Sequence, residues 1–289
     1  MKPRSVKALL FAHEYPMGKL RVKQPFPTYS LDQIDPFILL HHANMKFHED
    51  ADLVNEGVGP HPHRGFSPVT FIFKGGVHHR DSMGNNSVIY EGGTQWMNAG
   101  RGVIHSERPP VDLHEKGGNQ EIIQLWVNTP ASMKMNTPEY FPLSAENTPN
   151  KLLEDGISRI NIIAGELFGI KGPVKTPSPV NASTLFMKAG ASIEIPVPEN
   201  HNAFVYILDG KLNIKEFGEA EKHHAVYFSM DGECLSFKAT EDTKALVMTG
   251  LPLNEPIATH GPFVMNNETQ LLEAMRDYQM GKMGVLIEE

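Results

Sequence analysis

The sequence predicts an all-β protein built from two related halves, and three observations carry that prediction. First, short runs rich in β-branched and aromatic residues recur along the chain, each bounded by Gly, Pro, Asn or Asp: "VTFIF" (69–73), "SVIY" (87–90), "EIIQLWV" (121–127), "AFVYIL" (203–208) and "AVYFS" (225–229). Many short strands with frequent turn signals are the pattern of an antiparallel sandwich or barrel. Second, "TPEYFPLSAENTPNKLLEDG" (137–156) is rich in Pro, Asn and charge, which sets a boundary between residues 1–145 and 146–289. Third, sliding "VTFIFKGGV" (69–77) onto "FVYILDGKL" (204–212) aligns Gly75 with Gly210 and matches the apolar alternation of the two strands. The barrel or sandwich is therefore expected twice.

Taken in order, the elements have local reasons. "DSMGNN" (81–86) lies between two strand runs and predicts a hairpin loop, with Gly84 and Asn85 suited to positive φ. Late in the chain, Asn267 and Gln270 have the spacing of a capping box, and Leu271, Met275 and Tyr278 form an apolar stripe. Gly281 supplies the stop, so one helix is expected over about 268–280. A chain of 289 residues is long enough for two sizeable cores.

Composition excludes several classes. The formal net charge is −8 and no Lys/Arg-rich run stands out, so a direct nucleic-acid surface is not expected. Cys234 is the one cysteine, which rules out an intramolecular disulfide and fits a reducing compartment. It also rules out zinc sites built on several thiolates. The apolar run Ala8–Ala12 is too short for a signal-peptide core, and nothing approaches a membrane span. A cytoplasmic monomer is the expectation.

The chemistry centres on "HPHRGF" (61–66). In an extended chain residues two apart share a face, so His61 and His63 aim the same way. The proline between them suits an edge strand, a strand start or a bulge. A second i, i+2 pair, His105 and Glu107, stands in "AGRGVIHSERP" (99–109). Three imidazoles and a carboxylate from two strands can surround a divalent first-row ion, with iron, manganese, nickel or copper suited to such donors. The alternative is that one of the pairs is a satisfied polar pair of the core. The adjacent pairs His41–His42, His78–His79 and His223–His224 point to opposite faces and are expected in solvent or behind the ligands. Arg64 and Arg101 are expected to be surface charges or to bond loop carbonyls, with orientation of an anionic substrate or of Glu107 as the other reading. Trp96 and Met97 are expected in the core. The repeat offset carries His61 and His63 onto Pro196 and Pro198. Aligning "NAGRGVIHSE" with "SMDGECLSFK" by their glycine turns sets Leu235 or Ser236 at the place of His105 and Phe237 or Lys238 at that of Glu107. The second half keeps the strands without the ligands.

Together, "HPHRGF", "HRDSMGN", "QWMNAGRGVIHSE" and "GPFVMNNETQLLEAMRDYQMGKMG" resemble the pirin family of the cupin superfamily, from "DPFILL" (35–40) to Met283. The resemblance implies a bicupin: two antiparallel jelly-roll β-barrels face to face, with a C-terminal helix. It implies a metal in the N-terminal barrel only, held by His61, His63, His105 and Glu107. The ion would be one per chain, usually Fe(II), with Mn, Ni, Cu or Zn as the other candidates. The implied activity is a quercetin 2,3-dioxygenase-like oxidation of a flavonol by dioxygen, with Glu107 as the base. The alternative is a non-catalytic regulator whose metal state controls binding to a transcription factor or a metabolic enzyme. A third reading is a barrel merely stabilised by its metal. Two departures bear on the pocket: Ser67 stands where the family commonly has Glu, and "HHANMKF" (41–47) replaces an acidic and aromatic pair.

Overall fold

The β-rich runs form antiparallel ladders, and their order in space repeats. The structure is a computed structural model that describes residues 1–18, 20–49 and 56–288. The chain divides into two compact units, Met1–Leu40 with Asn147–Leu253, and His41–Glu146 with Asn254–Glu289. The chain passes between the units after Leu40, after Glu146 and after Leu253. Both termini, however, belong to the opposite half from the one that sequence continuity assigns. The reason is pairing: Val6–Phe11 forms a ladder with His224–Phe228, while the last segment anchors on the unit that holds His61.

The strand β1 (Phe37–Phe47) runs into that second unit from His41 on, and it is followed there by β2 (Val58–His63), β3 (Phe66–Lys74), β4 (Gly76–Asp81) and β5 (Asn86–Tyr90). They continue with β6 (Thr94–Asn98), β7 (Val103–Arg108), β8 (Gly118–Asn128) and β9 (Glu139–Leu143). One sheet has the order β2-β7-β4-β5 and faces strands in the order β9-β6-β3-β8-β1. β2 is an edge strand, which is where Pro60 and Pro62 can stand without breaking a ladder on both sides. Between the sheets, Ile72, Val77 and Ile89 make an apolar floor with Ile122 beside it. Of the loop residues 81–86, Gly84 takes the positive φ (91°) and Asn85 does not.

A short hairpin, β10 (Ala258–His260) and β11 (Phe263–Met265), leads to the terminal helix Glu268–Gln279. The Asn267 side chain accepts from the Gln270 N–H at 3.0 Å, as a cap should. The Gln270 side chain returns to the N–H of Asn266 rather than Asn267. Leu271 and Ala274 are the buried face, with Met275 partly buried, whereas Tyr278 is 39% exposed. The apolar stripe is therefore narrower than Leu271–Met275–Tyr278. No helix among the described residues is long and apolar enough to cross a membrane.

The other unit repeats the plan. Its four-stranded sheet has the order Ser192–Pro196, Cys234–Ala239, Lys211–Ile214, Gly218–Glu221, the counterpart of β2-β7-β4-β5. Its interior is filled with apolar side chains, among them Ile195, Val205, Leu235 and Val247. Pro196 pairs with Cys234, so the residue across from the first substituted proline is Cys234, one place before the Leu235 or Ser236 of the glycine alignment.

Candidate metal centre

Period-two alternation brings the histidines together. β2 and β7 are antiparallel neighbours with His61 directly across from His105, and His63 two residues along β2 shares their face. The three imidazoles crowd one point, with ring centroids 4.3, 4.7 and 4.9 Å apart. One nitrogen from each lies within 4.8 Å of the others, so the group can hold a metal ion.

Hydrogen bonding tests whether a cation fits. His61 Nδ1 is 2.8 Å from the carbonyl of Gly59, and His63 Nδ1 is 3.3 Å from that of Pro262. A carbonyl only accepts, so each Nδ1 carries the proton and each neutral ring has a bare Nε2. Those two Nε2 atoms are 3.1 Å apart. Two lone pairs that close repel until a cation lies against both. Burial pushes His63 and His105 well below the usual histidine range, and their histidine neighbours add to the effect. His63 and His105 are thus held in the neutral form, the one that binds metal. His105 Nε2 is buried with no hydrogen-bond partner. The donor set fits a divalent ion.

Glu107 shares the inward face but stands apart from this group. A register shift separates His105 from Glu107 along β2, which places Glu107 across from Val58. Its carboxylate is held from the opposite sheet: Thr70 Oγ1 donates to Oε1 at 2.5 Å, and Gln124 Nε2 donates to Oε2 at 2.6 Å. Thr70 and Gln124 carry no signal of their own in the sequence. The signal available was parity, since Gln124 and Trp126 alternate with the buried Ile123 and Leu125 on β8. Trp126 lies against Phe66 (ring centroids 4.3 Å) and against His63 (5.5 Å), giving the centre an aromatic wall.

Around this centre, Arg64 is a buried structural group: Nε donates to the Arg101 carbonyl at 2.6 Å and Nη1 pairs with Asp277 at 3.1 Å. Trp96 and Met97 are in the core. His78 sits on the outer face with Asn86, while His79 turns inward behind His105. His42 bonds Glu121, so its neighbour His41 falls on the opposite face of the sheet, that of Gln124 and Trp126. Burial lowers the His41 pKa to about 4. Ser67 needs correction: it donates to Asn98 at 2.8 Å on the face of β3 opposite Phe66 and Thr70, so it does not line the centre.

The turn after the ligand strand is clamped by the C-terminal hairpin. Gly65 has φ +86°, and a Cβ there would run into the Val264 carbonyl. The Lys134 ammonium binds the carbonyls of Gly65 (2.6 Å) and Val264 (3.2 Å) together. Gly65→Ala must push β11 away and with it Pro262, the partner of His63. The expected result is a lower melting temperature and metal affinity reduced about tenfold or more, as for loss of a group that orients a ligand. Titration with Ni(II) and a thermal melt check this; unchanged affinity would show that the clamp does not act on His63.

Comparison with known proteins agrees with this architecture. The Pirin family model matches residues 19–127, and the Pirin C-terminal cupin domain matches residues 183–284. A pirin-like protein of Solanum lycopersicum is 36% identical over 91% of this chain and 87% of its own length. The crystal structure of quercetin 2,3-dioxygenase from Acinetobacter baumannii is 36% identical with a TM-score of 0.91, covering 99% of this chain and 100% of that one. The Escherichia coli pirin YhhW, solved with nickel(II), is 17% identical with a TM-score of 0.68, covering 85% of this chain and 99% of its own, which is a likeness of fold. With both cupin domains matched in order on a fold that repeats the same strand plan, this chain belongs to the pirin family.

Proposed function

We propose that this protein is a metal-dependent dioxygenase that acts on a flavonol-like substrate. The observation that carries the reading is the convergence of one ring nitrogen from each of His61, His63 and His105 beside an aromatic wall. The quercetin 2,3-dioxygenase name of the A. baumannii structure supports the substrate class. A divalent ion held by the three histidines, Fe(II) before Mn, Ni, Cu or Zn, supplies Lewis-acid polarisation of a hydroxyl and carbonyl pair.

The chain's own residues do the rest. Trp126 offers apolar surface to a planar aromatic ring with the buried Phe66 packed behind it, and the Ile72–Val77–Ile89 floor excludes water below it. Glu107 takes the proton of the flavonol hydroxyl. Both of its oxygens accept from neutral donors. Gln124 is tied further to Trp126 at 3.3 Å, whereas the Thr70 hydroxyl can turn about its C–O bond. Oε1 is therefore the oxygen that is freed to receive the proton. In this reading Glu107 would be the fourth residue to hold the ion, beside the three histidines.

A dioxygenase places both atoms of O2 in product, so one O2 is consumed per flavonol. An oxygen electrode with Fe(II)-loaded protein and quercetin tests this directly. Uptake no greater than that of free Fe(II), with metal shown to be bound, would refute catalysis and favour a metal-dependent binding protein.

A further inference from the structure

The third histidine is oriented differently from the other two. Backbone carbonyls take the Nδ1 protons of His61 and His63. His105 Nδ1 meets a second imidazole instead, lying 3.4 Å from Nδ1 of His79. Two ring nitrogens so placed share one proton, and its owner is decided one step further away. His79 Nε2 lies 3.1 Å from Asp81 Oδ2. Donors surround Asp81: Oδ1 accepts from the N–H of Met83 (2.9 Å) and of Asn85 (3.0 Å), and Oδ2 accepts from the Asn85 amide (2.8 Å).

A carboxylate so surrounded is an acceptor only, which assigns the proton of the His79–Asp81 contact to His79 Nε2. With its proton on Nε2, an uncharged His79 ring offers a bare Nδ1 that accepts. The shared proton belongs to His105 Nδ1, and His105 Nε2 is left with its lone pair toward His61 and His63. We infer that Asp81 and His79 form a relay that sets the tautomer of His105, making both of them positioning residues for the third ligand. The proposal extends the reading of His105 as a ligand and rests on it.

The frame around the relay is rigid. On the β7–β4 ladder His105 stands opposite Asp81 and Glu107 opposite His79, so the two i, i+2 pairs run side by side on one inward face. The Tyr140 ring stacks on His79 with centroids 3.9 Å apart and planes 7° apart, and its hydroxyl is 2.7 Å from Ser87 Oγ. A ligand histidine commonly gives its far N–H to a carboxylate or carbonyl. Here an imidazole is interposed, and the hairpin loop that begins at Asp81 supplies the carboxylate. The histidine and aspartate of "HRDSMGN" thereby orient a ligand that lies more than twenty residues further along the chain.

The test reads tautomers first. In full-length, histidine-15N-labelled, metal-free protein at neutral pH, two-bond 1H–15N spectra should show His105 protonated on Nδ1 and His79 on Nε2. A proton on His105 Nε2 or on His79 Nδ1 would overturn the relay. Ni(II) alone is then titrated into variants. His79→Phe keeps a ring against Tyr140 but removes both nitrogens, and should weaken Ni(II) binding about 10–100-fold. His79→Gln, whose carbonyl can accept from His105, should recover part of the loss. Affinity equal to that of the parent in His79→Phe would refute the positioning role. If that variant does not fold, the tautomers of the parent protein still decide. The expected tautomers in a parent protein that binds no Ni(II) would support the relay while refuting the metal centre. Ni(II) binding with the opposite His105 tautomer would do the reverse.

Discussion

A His61→Ala, His63→Ala double variant is expected to purify without bound metal, while the parent chain carries one equivalent. The substitutions remove two of three converging ring-nitrogen donors, and a single buried imidazole cannot compete with water and buffer for a divalent ion. The other unit cannot compensate. Pro196 and Pro198 stand at the places that correspond to these histidines, and Cys234 lies across from Pro196 with its thiol 3.6 Å from the Lys2 carbonyl. Deleting His63, which is 2% exposed, also leaves a gap beside Phe66 and Trp126, so a destabilisation of about 1–3 kcal/mol accompanies the loss. Elemental analysis of both proteins checks the claim. Two equivalents in the parent, or undiminished metal in the variant, would move the site elsewhere.

Glu107→Gln is expected to lose about 10²–10⁴-fold in turnover while metal content changes little. The amide is isosteric and its hydrogen bonds can be kept. Its oxygen can face the Gln124 amide, and its NH2 can donate to Thr70 once that hydroxyl turns to accept. What the amide lacks is the capacity to take a proton. The position of Glu107 outside the histidine group sharpens the expectation, because the three ring-nitrogen donors persist without it. Parallel measurements of bound metal and oxygen uptake decide the matter. Metal and activity falling in proportion would assign Glu107 a ligand role alone.

Several features of the site were legible because they depend on short-range alternation. His61 and His63 share a face because side chains in a strand repeat every two residues, and the same rule pairs His105 with Glu107. It also separates His41 from His42 and His78 from His79. The edge position of β2 is one of the three places Pro62 allowed, and Asn267 announced the start of the terminal helix. Ser67 shows where alternation was overridden by family pattern: parity alone puts it on the face opposite Phe66. Thr70, Gln124 and Tyr140 were missed as members of the site because each looks ordinary within its own strand.

By itself, the sequence determined the β class, the duplication, the absence of histidines from the matching places of the second copy and the faces on which the histidines lie. All of these follow from local periodicity and from residue identity at repeat positions. The tertiary structure alone decided which strands lie opposite one another. That choice set Pro262 against His63, the imidazole of His79 against His105, and Thr70 with Gln124 around Glu107. It also joined each terminus to the half farther from it in sequence. The physical reason is that alternation fixes a side chain's face, whereas its partner across the barrel depends on sheet order and register, which are settled by contacts between residues far apart in the chain.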